Sequence, residues 1–294
     1  MTGERPLAAV LARLDAVDPW CGYSMATPQG AGWHRLDEVV ADDRLVASWL
    51  AGLRARTTKG CSDVAGSYLA SWLGSLLAGP VATQLVGERR AWRLAPRSLA
   101  VRRHEGGWFD AVAVAPQPLL VLPGDPLATH PDVAVVVDEA TLRDRVADDL
   151  VALLNPVFAH IRAHASFGLG GMWGTVADAV ADQVVQYSAA VAASNGNDDD
   201  RDDDGDGDDA EASWPRVAAL IDALAARAPR LRVRPSLVAV GWSGGVAHRT
   251  ARGTCCLYYK LSGDDWCANC PKRAAADREC RWVADLEARQ LAAT

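Results

Sequence analysis

Four of the seven cysteines fall within sixteen residues, at Cys255, Cys256, Cys267 and Cys270. The pattern is C-C, ten residues, then C-x-x-C. An average stretch of that length would hold less than one cysteine, so composition does not explain it. Any fold this chain adopts must let these thiols converge, because four thiolates are a ligand set for a metal ion or an iron–sulfur centre. Disulfides are the weakest alternative. The first nineteen residues interleave Arg5 and Arg13 with Glu4, Asp15 and Asp18, without a continuous apolar stretch or a small-residue cleavage site. No secretory leader is therefore expected, and a cytosolic chain keeps its thiols reduced. Zinc is a stronger alternative. Structural zinc sites usually pair two C-x-x-C-like knuckles, and only Cys267–Cys270 forms one here. Thr254, Leu257, Tyr258 and Tyr259 favour an extended Thr254–Lys260. In extended backbone Cys255 and Cys256 point to opposite faces. The two metal positions of a 2Fe-2S cluster suit such neighbours better than one small ion. On the residues alone, the two cofactors stand nearly even.

The segment Arg249–Pro271, RTARGTCCLYYKLSGDDWCANCP, resembles the C-terminal signature of FhuF-type ferric-siderophore reductases, C-C-x10-C-x2-C, at all four cysteines. Upstream, Asn155-Pro156, His160 and Met172-Trp173-Gly174 are similar to the family's helix and its L-W-G-like element. Met172 replaces the usual leucine, and Thr175 stands where asparagine is common. The uncharged Tyr68–Val86 falls where the family has a helical core segment. The resemblance implies Cys255, Cys256, Cys267 and Cys270 as ligands of a 2Fe-2S cluster. It further implies a cytoplasmic oxidoreductase that passes one electron to Fe(III) in a siderophore, with hydroxamate type expected. Hard oxygen ligands hold Fe(III) far better than Fe(II), so reduction releases the iron. No siderophore-binding residue carries over. The alternative is a non-enzymatic zinc or Fe–S interaction or sensor protein. Kinship with siderophore synthetases would call for ATP-binding elements, and none stands out.

The formal charge of −7 comes from one run. Ten acidic residues and Arg201 lie between Asp198 and Glu211, and the rest of the chain carries about +2. Such a self-repelling run buries nothing and reads as disordered loop. Asp200, Asp202, Asp204, Gly205 and Glu211 match calcium-loop spacing. No helix-forming sequence lies immediately upstream, so a solvated loop is the preferred reading. The expected organisation is a helical α+β body over 1–193, an acidic insertion over 194–212 and a C-terminal part over 213–294, with the cluster segment at 249–281.

Apolar spacing predicts helices over Pro6–Val17, Asp42–Arg56, Asp63–Leu77, Thr141–Ala163, Val176–Ala193 and Trp214–Ala228. Pro80 reads as the start of a further helix, and Pro156 as a kink. Leu99–Arg103 and Trp108–Val114, joined by Glu105-Gly106-Gly107, predict a hairpin. Arg230–Val240 reads as extended. The fold class is α+β, predominantly helical with a small antiparallel sheet and a cysteine-ligated C-terminal segment. Val64–Gly87 is free of charge and long enough to span a bilayer. Its Gly66, Gly74, Gly79, Pro80 and Gln84 point instead to a buried helix pair. No transmembrane segment is expected, though peripheral membrane contact would suit a receiver of imported siderophore.

Gly241-Trp242-Ser243-Gly244-Gly245 fits G-x-S-x-G but leads from strand to strand, so a hairpin turn is preferred to a catalytic Ser243–His248 pair. Gly168-Leu-Gly170-Gly171 lacks the spacing of a nicotinamide loop. An electron donor such as a ferredoxin or a flavin reductase is therefore expected, and no nucleic-acid partner. His160 and His164 share a helical face without the glutamate of H-E-x-x-H. His34, His104 and His130 are scattered. Cys21, Cys61 and Cys280 lack partners at metal spacing. Arg249, Arg252, Lys260, Lys272, Arg273, Arg278 and Arg281 outnumber Asp264, Asp265, Asp277 and Glu279 around the cysteines. That excess would raise the potential of an anionic cluster and steer an acidic donor. Trp266, Tyr258 and Tyr259 would shield the centre or simply fill core.

Overall fold

The computed structural model describes residues 5–18, 20–56, 60–195, 210–261 and 265–293. The acidic run from 196 to 209, with most of the calcium-loop spacing, lies outside the described residues.

The charge-free stretch organises the body. It forms one helix, α4 (Ser62–Gly87), buried on nearly every side. A helix apolar all round must be covered all round. The cover comes from α3 (Asp43–Arg56), α5 (Glu139–His164), α6 (Leu169–Asn195), α7 (Ala210–Arg227) and strand β4 (Phe109–Val114). By length and composition α4 would pass for a membrane span, yet most of that stretch is buried inside the protein. The expected helix pair is corrected: Pro80 lies within α4 without dividing it. Proline removes a backbone donor and frees a carbonyl one turn back. Beside that weakened turn, Gln183 of α6 donates its amide to the Ser75 carbonyl at 3.1 Å. Gly79 makes the approach feasible, since a Cβ there would stand 1.7 Å from the Gln183 side chain. Pro156 is likewise carried inside α5. Pro215 lies inside α7, which begins at Ala210 rather than Trp214.

Helix α1 (Pro6–Val17) follows the expected bounds and buries Leu7, Val10, Leu11 and Leu14. The sheet is mixed rather than antiparallel, in the order β1-β4-β3-β2. β2 (Trp33–Arg35), β3 (Leu99–Arg103) and β4 run antiparallel, the last two forming the expected hairpin. β1 (Gly22–Met25), entering after α1, adds to the far edge of β4 in parallel. A short α2 (Leu36–Ala41) precedes α3. A parallel pair, β5 (Leu119–Val121) with β6 (Val133–Val135), stands apart from the sheet. The main hydrophobic core runs from Leu7 to Leu231 and includes residues on both sides of 196–209.

After α7, β7 (Ser236–Trp242) and β8 (Gly245–Ala251) form a hairpin whose turn is Ser243-Gly244. This is the turn that G-x-S-x-G mimics. α8 (Ala275–Ala293) closes the chain and packs on β7. Val240, Ala251, Trp282 and Leu286 form a second, small apolar cluster there. The cysteine segment spans the gap between β8 and α8.

Candidate metal centre

The expected strand over Thr254–Lys260 is absent. Residues 255–257 follow irregular backbone and Tyr258–Lys260 form a 3-10 turn. Leu257 sits in the left-handed region at φ 63°, a costly conformation for a residue with a Cβ. The left-handed residue immediately after Cys256 and the 3-10 turn that follows interrupt any extended run, so strand alternation does not set the directions of Cys255 and Cys256.

The four thiols meet as two pairs. Cys256 Sγ lies 3.8 Å from Cys267 Sγ, and Cys255 interacts with Cys270. Tetrahedral sulfur coordination with metal–sulfur bonds of about 2.3 Å puts two ligand sulfurs about 3.8 Å apart. The Cys256–Cys267 pair thus has the spacing of two ligands on one metal. Among the described residues, no three His, Cys, Asp or Glu side chains group at single-ion spacing. Pairs from opposite ends of the motif match two metal positions, so the residues present fit a two-iron centre. Cys270 is buried, whereas Cys255, Cys256 and Cys267 are half-buried.

The environment favours thiolate at Cys256. The hydrogen bond from Cys267 pulls its pKa down to about 5, with further help from the Tyr258 N–H and the Arg252 cation. The same contact and burial push Cys267 up. Burial raises Cys255. Elsewhere Cys21 is buried, its thiol pushed up to about 12, and Cys280 is exposed on α8.

Polar contacts fix the segment to the body. Asp178 of α6 is 3 % exposed. It accepts the N–H groups of Gly253 at 2.8 Å and Thr254 at 3.0 Å, directly before the cysteine pair. Ser67 of α4 donates its hydroxyl to the Cys256 carbonyl at 3.1 Å. Asn269, inside C-x-x-C, accepts the Arg252 N–H at 3.3 Å and donates to the Thr250 carbonyl at 2.7 Å. Gly174 explains the Met172-Trp173-Gly174 element. Met172 and Trp173 fill the core, while a Cβ at Gly174 would stand 2.0 Å from the Thr254 hydroxyl. Sequence reasoning missed Asp178, although a carboxylate amid the apolar residues of Val176–Ala181 signals a charge held by something.

The expected basic surface is largely neutralised. Arg273 is buried. It donates to the Cys267 carbonyl at 2.9 Å, to Asp265 at 2.7 Å and to Asp277 at 2.5 Å, which makes it a clamp between the knuckle and α8. Lys260 pairs with Asp63, Arg281 with Asp277, Arg249 with Asp285 and Arg252 with Asp178. Lys272 sits over the Tyr259 ring at 4.4 Å. Asp264 lies outside the described residues. Trp266 and Tyr258 are exposed rather than core filler.

His160 and His164 tie α5 to α2 and α3. His160 Nε2 donates to the Val40 carbonyl at 2.9 Å, and His164 Nε2 lies 2.8 Å from Asp43. His248 is on β8, 3.8 Å from Glu211.

The family model of the FhuF 2Fe-2S C-terminal domain matches residues 252–272, a span that contains all four cysteines. The match supports an FhuF-type family and a 2Fe-2S cluster as the cofactor. No curated protein matches the chain.

Proposed function

We propose that this protein is an iron–sulfur oxidoreductase that reduces Fe(III) in siderophore complexes, of hydroxamate type, and releases Fe(II) in the cytosol. The observation that carries the reading is the pairing of four thiols, one pair at metal-ligand spacing, within the segment matched to the FhuF 2Fe-2S domain. Cys255, Cys256, Cys267 and Cys270 would hold the cluster. When bound, a 2Fe-2S cluster supplies one-electron storage at a potential set by charge, hydrogen bonds and exposure.

The protein's own residues set those conditions. Arg252 and the Tyr258 N–H act on Cys256. Burial keeps water from Cys270, while Tyr258 and Trp266 leave an aromatic rim at the surface. A ferredoxin or flavin reductase loses one electron and the ferric complex gains one. No proton is transferred, so no acid–base dyad is required. Oxygen ligands that hold Fe(III) tightly hold Fe(II) weakly, and the iron dissociates.

The test uses protein isolated without oxygen, reduced and mixed with a ferric hydroxamate in the presence of a ferrous chelator. The expected result is stoichiometric Fe(II) capture, absent in Cys256→Ser/Cys267→Ser. A protein that carries its cluster yet leaves the ferric complex intact would instead be the sensor.

A further inference from the structure

Arg252 and Asp178 form a charged pair beneath the cysteine segment. Arg252 Nε lies 3.4 Å from Asp178 Oδ2, with their side chains 20 % and 3 % exposed. A buried carboxylate is costly unless its oxygens are satisfied. Here both oxygens accept backbone N–H groups from the two residues before Cys255. Asp182, one turn along α6, also feels the charge of Arg252. Arg252 is three residues before Cys255, and its backbone N–H is held by Asn269 between Cys267 and Cys270, so the cation belongs to the cysteine segment and acts electrostatically on Cys256 and Cys267.

We infer that Asp178 and Arg252 are positioning residues that set the electron affinity of the centre. Arg252 holds a positive charge beside the Cys256–Cys267 pair, and Asp178 anchors that charge and partly offsets it. This rests on the 2Fe-2S reading. Added negative charge at the centre is stabilised by the cation and opposed by the carboxylate, so removing the two has opposite effects on the midpoint potential. A purely structural pair would give no such opposition in sign.

The experiment is an anaerobic redox titration followed by visible absorption and electron paramagnetic resonance. Arg252→Gln is expected to weaken the hold on the electron about tenfold, a drop of about 59 mV for one electron. Arg252→Lys is expected to restore most of the drop. Asp178→Asn keeps an acceptor oxygen, removes the charge and is expected to raise the midpoint. An unchanged midpoint in an Arg252→Gln protein with full iron and sulfide overturns the inference. If Arg252→Gln fails to retain the cluster, Asp178→Asn decides, and an unchanged or lower midpoint overturns it. Loss of the cluster from both, with Arg252→Lys unaffected, reduces the pair to scaffolding and also overturns it. Absence of sulfide from the wild-type protein is a different failure, that of the 2Fe-2S reading itself.

Discussion

The body and the cysteine segment are held together by different forces. The body is an apolar core around α4, in which Leu69, Leu73, Phe158 and Trp173 are almost completely buried. The segment has little core of its own. Val240, Ala251, Trp282 and Leu286 form a small cluster between the β7–β8 hairpin and α8, which flank it, and hydrogen bonds with Asp178, Ser67, Asn269 and Arg273 define its backbone. Burial is non-directional and tolerates some repacking. Hydrogen bonds fix direction, which two thiol pairs at ligand spacing require. The rigid helices carry the precision, and the irregular loop carries the ligands.

The contrast breaks most visibly in the core. Trp173→Ala should cost about 3–5 kcal/mol, seen in denaturant unfolding of the whole protein. Gly174→Val, one residue on, should act mainly on the other region. Its side chain collides with Thr254 and displaces the segment, so most bound iron should be lost while helix content by circular dichroism is kept. Equal loss of both would show that the regions are not separable. Asn269→Ala leaves the Thr250 carbonyl and the Arg252 N–H without their partner, at about 1–3 kcal/mol. It should speed cluster decay in air with little change in the unfolding midpoint. Ser67→Ala removes one contact between the regions and should cost about 0.5–1.5 kcal/mol, read as slightly faster decay.

The body was readable where periodicity is strong. α1 follows its expected span, and the β3–β4 and β7–β8 hairpins fall at the expected turns. Pro80 misled because proline breaks helices through local terms, whereas α4 is held by partners on all sides. The parallel edge strand β1 has four residues and no local signal for its distant partner. α8 was missed because charged residues crowd its apolar stripe of Trp282 and Leu286. In the segment the ligand residues were legible from spacing and resemblance, but their arrangement was not. β-forming residues at 254–259 suggested a strand, and irregular backbone with Leu257 in the left-handed region, followed by a 3-10 turn, stands in its place. The surplus of cations near the cysteines was countable, but their pairing with Asp63, Asp178, Asp277 and Asp285 depends on the fold.

The most direct measurement is the iron and acid-labile sulfide content of the anaerobically isolated protein, beside Cys256→Ser/Cys267→Ser. The account predicts iron and sulfide in equal amounts in the parent and neither in the double variant. Metal without sulfide in the parent, or a full cofactor in the variant, would contradict it.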